Sequence, residues 1–431
     1  MSRLFSIRIV SVQLFSVQCV CLTLMAGLTL TAFASGGDWP SWRGPNRDGI
    51  SKETGLLASW DEGGPPLVWK AQGLGGGYAS VIVVKGRIFT TGTEQGQTTV
   101  VALDLKSGKK LWSAPVGSGG GPNCTPTYDD GLVYALSKKG DLVCLDAETG
   151  DLKWRKNFPR DFGGKMMSGW GYSESPLIDG DRLICTPGAK DAAMAALNKK
   201  TGETIWKTSI DDLGRRGRDG AGYSSIVVAE VGKIRQYVQL MGRGLIAVNA
   251  KDGRFLWNYN RIANGTANIP TPIVKDNFVF CSSGYGAGAA LLKLTAKGDG
   301  VEAEEVYFQP GNKLQNHHGG MICVGDYIYF GHGHNKGFPI CVNMLSGKVA
   351  WFKGRGPGSG SAAIVYAEGR LYFRYQSGDM ALIEATPEGY REHGTFKIPK
   401  SSGPSWPHPV VSGGKLFLRA QDVLFCYDIK K

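Results

Sequence analysis

No stretch of the 431-residue chain carries the 3.6-residue apolar period of an amphipathic helix, which excludes helical bundles and α/β layering. No Cys-x-x-Cys-His occurs, so covalent haem attachment has no site. The formal net charge is +12, yet there is no basic block. Lys and Arg are scattered through turns such as "KSGKK" and "NKKTG", which argues against nucleic acid and for a solvated basic surface attracted to anionic polymer or to a membrane surface. Nine cysteines are present but fit no disulfide framework. Cys144, Cys341 and Cys426 stand where Ala102, Ala196 and Ala247 stand in other copies of a repeat, and Cys124, Cys185, Cys281 and Cys323 fall in or beside strands. Setting aside Cys19 and Cys21 in the N-terminal apolar segment, all seven read as small buried hydrophobes, unpaired.

What the chain has instead is one phrase said five times: "ALDLKSGKKLW", "CLDAETGDLKW", "ALNKKTGETIW", "AVNAKDGRFLW" and "CVNMLSGKVAW". Each runs small, apolar, Asp or Asn, two variable residues, Ser/Thr/Asp, Gly, three variable residues, Trp. The first four tryptophans, Trp112, Trp154, Trp206 and Trp257, recur about every 42–52 residues, and Trp351 ends the fifth copy. Degraded copies lie near Lys293–Phe308 and Leu382–Phe396. Every copy is preceded by another short hairpin of β-branched and aromatic residues, such as "SVIVVKGRIFTTG". Two hairpins make a four-stranded unit, and the count of units predicts an all-β, eight-bladed propeller. The last unit lacks its fourth strand while "PPLVWK", Pro65–Lys70, is spare at the start, so an N-terminal strand is expected to close the ring and remove the open edge. The five tryptophans are expected to dock between blades, mostly buried.

The expected domain organisation has three parts. Residues 1–34, with Arg3 and Arg8 before an apolar run ending in Ala32-Phe33-Ala34, read as a secretory signal, with an uncleaved membrane anchor as the alternative. Residues 35–66 form an arm bearing Trp39, Trp42 and Trp60, too apolar to float and expected along the side or across one face; residues 67–431 form the propeller. The localisation that follows is the periplasm or cell envelope, as a monomer.

The repeated template resembles the tryptophan docking motif of the pyrroloquinoline quinone (PQQ) repeat family, over roughly Pro65–Lys431. That family includes eight-bladed quinoprotein alcohol dehydrogenases and the non-catalytic propeller subunit of the outer-membrane β-barrel assembly machinery, so the resemblance implies fold more strongly than activity. A dehydrogenase of this family would hold PQQ with Ca²⁺, and its soluble members show an adjacent Cys-Cys pair, a Ca²⁺ site of Glu, Asn and Asp, and a catalytic Asp. This sequence has no Cys-Cys, and Glu174 and Asp219 in the loops lack a supporting motif. The first expectation is therefore a binding or scaffolding propeller with an envelope protein as partner. A PQQ-dependent alcohol dehydrogenase is the alternative. A second is capture of carbohydrate or polyanion at the channel mouth, with Arg215, Arg216, Arg218 and Arg355 as anion forks.

The loops entering each blade are expected to ring one mouth with Tyr78, Asn123, Trp170, Tyr172, Tyr223, Asn268, His317, His318, Ser359, Trp406 and His408, flat faces with polar anchors suited to a small ligand. Four of the six histidines fall in "NHHGGMICVGDYIYFGHGH". Taking Gly325-Asp326 as the turn sets Gly319 opposite His332 and His317 opposite His334. His317, His318, His332 and His334 would then converge, two or three of them able to hold a transition metal (Zn, Cu, Ni or Fe), or else simply to hydrogen-bond backbone or ligand.

Overall fold

The computed structural model describes Met1, residues 37–399 and residues 403–431. The signal or anchor assigned to residues 1–34 lies, apart from Met1, outside the described residues. The rest builds eight four-stranded antiparallel sheets arranged as a propeller, with one short helix, Phe158–Phe162. In the first blade the innermost strand Ile82–Val84 is buried throughout, and the strands Arg87–Glu94, Gln97–Asp104 and Lys110–Ser118 follow outward. The outer strand alternates between exposed and covered side chains, as a solvated edge should.

The template's Asp or Asn makes the outer hairpin. In the first copy Asp104 Oδ1 accepts from the Ser107 amide at 2.8 Å and from the Ser107 hydroxyl at 2.6 Å, and Gly108 follows at φ 67°. The same turn recurs at Asn343 and Ser346. These side chains replace backbone partners that the tight turn leaves without a ladder.

Docking runs from each blade to the next. Trp112 lies over Gly150, Trp154 over Gly202 and Trp206 over Gly253; a Cβ on Gly202 would fall 2.8 Å from the Trp154 indole. The indole Nε1 of Trp154 donates to the Lys199 carbonyl at 2.9 Å, and that of Trp351 to the Thr386 carbonyl at 2.7 Å. Trp257 faces the degraded fifth unit, which has no template Gly, and its Nε1 turns to Gln236 of its own sheet at 2.7 Å. Trp154, Trp206, Trp257 and Trp351 are buried, whereas Trp112 is only half-buried. Tyr307 takes the tryptophan's place over Gly347 in the fifth blade.

The ring closes as the spare strand requires. Leu67–Ala71 pairs antiparallel with the last strand, Trp69 opposite Cys426 and Lys70 opposite Phe425. Trp69 then lies over Gly108 of the first blade, making it a sixth docking tryptophan outside the five copies of the template.

The arm does more than cover a face: it crosses the central channel. Trp39 pairs with Val83 of the first blade, the Pro40 carbonyl accepts from Tyr128 of the second, and Ile50–Ser51 adds a parallel strand beside Tyr366 and Ala367 of the seventh. Between these points Arg47 donates to the carbonyls of Ser175 (2.7 Å) and Pro176 (3.1 Å), and Arg43 reaches the Met321 carbonyl on the opposite side. Both guanidinium groups are buried. The channel therefore has a floor.

Candidate binding site at the channel mouth

Above that floor is a cavity of about 270 Å³ whose walls include Tyr78, Asn123, Trp170, Tyr223, His317, His318, Trp406 and His408 from the entry loops. Trp42 and Arg43 of the arm form its base, and Tyr285 completes the wall. Trp406 is the centre of the aromatic lining: its ring centroid lies 4.5 Å from Tyr78, 5.1 Å from His318 and 6.2 Å from Trp170. Its Nε1 donates to Gln376 Oε1 at 2.9 Å, which fixes the indole plane. Trp170, by contrast, is 51% exposed at the rim.

Not every predicted mouth residue arrives there. Tyr172 is buried between blades, edge-on to Phe158 at 5.2 Å, and its hydroxyl donates to the Pro187 carbonyl at 3.0 Å. The loop after Trp170 turns inward because Tyr172 has a carbonyl and an aromatic ring to satisfy there. Asn268 is also fully buried, donating to the carbonyls of Met241 and Gly242 at 3.0 Å each. Ser359 is not part of the cavity wall, and the exposed Arg215, Arg216, Arg218 and Arg355 stand outside it. Tyr285 was missed because it belongs to the turn between two strands of the fifth blade, at φ 57°, and not to an entry loop.

The histidine hairpin departs from the simple register. Val324 does pair with Tyr327 and Met321 with Phe330, but the next pair is Asn316 with His332, so His317 to Gly320 bulge opposite Gly331. Two glycines permit it. A Cβ on Gly319 would collide with the Ala362 carbonyl, and Gly320 sits at φ 75° against the Arg43 guanidinium. The bulge turns His317 and His318 into the cavity while His332 faces Phe352, centroid 5.5 Å, and accepts the Gln315 amide at Nδ1 (3.2 Å). His334 packs 4.3 Å from His317 and its Nδ1 accepts from the Tyr285 amide at 3.3 Å. Among the described residues no group of three or more His, Cys, Asp or Glu is arranged to hold a metal ion. The bulge sets His332 apart from His317, His318 and His334, and backbone amides occupy Nδ1 of His332 and of His334.

Hydrogen-bond partners settle the tautomers. Ser361 Oγ donates to Asn335 Oδ1, a pure acceptor, so it accepts from His317 Nδ1–H at 2.8 Å; His317 Nε2 then accepts the Tyr285 hydroxyl at 3.2 Å. His408 Nε2 lies 3.2 Å from the His318 carbonyl and must donate to it, which leaves Nδ1 a bare acceptor. Burial, then its histidine neighbours, push the His317 pKa down to about 2. Burial, then the Arg43 guanidinium, push that of His408 to about 3; His318 falls to about 3, chiefly through burial. The imidazoles of the mouth are neutral at physiological pH.

Carboxylates avoid the cavity. Among the described residues no Asp or Glu belongs to its wall. Glu174 is buried behind it, accepting from the Thr186 amide at 3.0 Å and Gln239 Nε2 at 2.9 Å, with burial raising its pKa to about 7. Asp219 is exposed and paired with Arg243 and Lys165. A hard cation such as Ca²⁺ needs several oxygen ligands, usually carboxylates. This lining does not fit the PQQ–Ca²⁺ pair of a quinoprotein dehydrogenase.

An eight-bladed propeller with docked tryptophans, a closing N-terminal strand and an aromatic mouth is the architecture of the PQQ-like repeat proteins. The model of the family described as outer membrane protein assembly factor BamB matches residues 96–353, and the chain belongs to that family. Among curated relatives it is similar to the outer membrane protein assembly factor BamB of Salmonella typhimurium, 25% identical over 181 residues that cover 40% of each chain. It is also similar to the 1-butanol dehydrogenase (cytochrome c) of Thauera butanivorans, 29% identical over 181 residues, 34% of this chain and 24% of the relative. The chain thus spans less than half the length of these relatives. Of solved structures, BamB from Moraxella catarrhalis superposes with a TM-score of 0.59 over 84% of this chain and 99% of that one, at 13% identity. Quinohemoprotein alcohol dehydrogenase from Comamonas testosteroni gives 0.60 over 91% and 81%, also at 13% identity, so both support the fold alone.

Proposed function

We propose that this chain is a binding propeller of the cell envelope, holding a ligand in the floored mouth and performing no redox chemistry on it. The observation that carries the reading is the composition of the cavity: stacking faces and neutral imidazoles fixed on strand ends, with no carboxylate to serve as base or calcium ligand. Family membership supports the envelope, since the assembly-factor relatives are named for outer-membrane protein assembly, and the apolar N-terminal segment supports export. On this reading the partner is a component of the envelope, and the rigid ring presents the mouth to it.

The test has two arms. Incubation with PQQ and Ca²⁺, followed by dye reduction with a panel of alcohols, is expected to give no turnover; steady alcohol-dependent reduction would establish the dehydrogenase instead. Fractionation of cells expressing the full chain should place it in the envelope or periplasm, and recovery in the cytosol would overturn the location.

A further inference from the structure

Four arginines are buried in the interior of this ring: Arg43, Arg47, Arg374 and Arg419. Each is held by backbone carbonyls. Arg374 donates to the Pro407 carbonyl at 2.8 Å and to that of Arg419; Arg419 in turn bonds the Gly75 carbonyl at 2.9 Å and Thr90 Oγ1 at 2.6 Å. Among the described residues none of the four enters a salt bridge. Burial lowers their pKa values only to about 9 or 10, so all remain cationic at neutral pH. Glu174 is placed to act on Arg47, Asp48 on Arg43 and Asp422 on Arg419, but among the described residues no carboxylate forms part of the mouth's own wall.

Arg43 is the one of the four that forms part of the mouth cavity. Its Nη2 is committed to the carbonyls of Asp48 and Met321, while Nε and Nη1 are buried without a partner. His408, only 6% exposed, has an unpartnered Nδ1 on the same base. Gly320 lets the two come together: a Cβ there would run into Arg43 Nη1 and stand 2.7 Å from His408 Cε1. A buried cation with free donors is costly unless an anion completes it. The same cavity is lined by the Trp406 and Trp42 rings, flat faces that favour the C–H side of a sugar.

We propose that the mouth receives an acidic sugar, its carboxylate set against Arg43 at the base of the cavity, a hydroxyl donating to His408 Nδ1 and its ring stacked on Trp406. This rests on reading the mouth as a binding site and adds the ligand's charge and class. The free N–H groups of Arg43 Nη1 can give a carboxylate a charge-assisted hydrogen bond, and a neutral sugar has no charge with which to answer it.

The experiment is titration calorimetry of the full chain with di- and trisaccharides of glucuronate and galacturonate, with the same sugars as methyl esters, and with each at raised salt. At least one acid is expected to bind, at least about tenfold more tightly than its ester, with affinity falling as salt rises. Trp406→Ala should abolish the binding, and Arg43→Gln should bring acid and ester level. If acid and ester bind alike, the carboxylate receptor is overturned while the mouth stands as a binding site. Should Trp406→Ala leave acid binding intact, both are overturned. Absence of binding by every acid overturns the receptor and leaves the wider reading to its own test. Because the acid–ester comparison uses the wild-type chain, its outcome does not depend on whether the Arg43 variant folds.

Discussion

The indole of Trp154 lies across Gly202 of the next blade, so close that a Cβ on the glycine would stand 2.8 Å from the ring, while Nε1 donates to the Lys199 carbonyl at 2.9 Å. One contact thus joins two sheets by packing and by a hydrogen bond, and Gly202 is required twice, for φ 75° and for the missing side chain. Trp154→Ala should lower stability by about 3–5 kcal/mol. Gly202→Ala should also destabilise, and the double variant should lose less than the sum, because one contact is being removed twice. Additive losses in denaturant titrations would show that the pair is not coupled.

Closure makes a second demand. Lys70 pairs with Phe425 in the strand that completes the eighth blade. Lys70→Pro puts a proline ring into the closing strand and weakens its cover of the edge Val423–Asp428. The expected result is a lower melting temperature together with concentration-dependent oligomers in size-exclusion chromatography. A variant that elutes and melts as the wild type would mean the closing strand is dispensable.

The ring and its closure were legible because period-two strands and a repeated Asp-to-Trp hairpin leave a pattern in sequence, and because Leu67–Ala71 was visibly surplus. The site was legible only in part. Trp170, Tyr223 and Trp406 follow from loop equivalence, but nothing in the sequence says that Tyr172 prefers the Pro187 carbonyl to the mouth. The bulge at His317–Gly320 depends on Arg43 and the Ala362 carbonyl, residues far away in the chain. Arg43 and Arg47 bind backbone carbonyls, which have no sequence signature, so the arm reads as a cover when it is a floor.

The seven described cysteines are free, six of them buried and Cys323 half-buried. Burial pushes the thiol of Cys124 up to about 12 and raises that of Cys323 as well. Ellman's reagent should therefore react slowly with the native protein, first at Cys323, and, in protein lacking residues 1–34 and so Cys19 and Cys21, count about seven thiols once it is denatured without reductant. A denatured count of three or fewer would mean disulfides.

Glu174 makes stability fall as pH rises. Its carboxyl is raised from an ordinary value of 4.5 to about 7, by burial above all, so the native state holds a proton that the unfolded state has already released. The contribution is full below the unfolded value, declines from there upward and is gone above about pH 7; it is on the order of 3 kcal/mol. Glu174→Gln cannot titrate. Whatever its stability at one pH, its unfolding free energy should decline less between pH 5 and pH 8 than that of the wild type. Parallel curves in denaturant titrations across that range would assign the pH dependence elsewhere.

The mouth imidazoles act in the opposite sense. His317, His318 and His408 are pushed down from 6.5 to between about 2 and 3, by burial first and then by neighbouring imidazoles or by Arg43. An unfolded histidine takes up a proton near 6.5 while the folded one does not. The stability these groups contribute is thus fully present above that value and is lost progressively as the pH falls below it. Trp406 reports the folded-state titration directly, because its ring lies 5.1 Å from His318 and a protonated imidazole quenches indole emission. The difference in emission between wild type and Trp406→Phe should stay flat from pH 8 to pH 5 and change only at more acidic values. His318→Gln should remove that late change while leaving the hydrogen bond from His408 to the backbone carbonyl at position 318 in place. A midpoint near 6.5 would mean that the imidazoles are solvated and charged when the site is in use. Arg43 and His408 would then repel each other, and the bare Nδ1 acceptor of His408 would be a second donor instead.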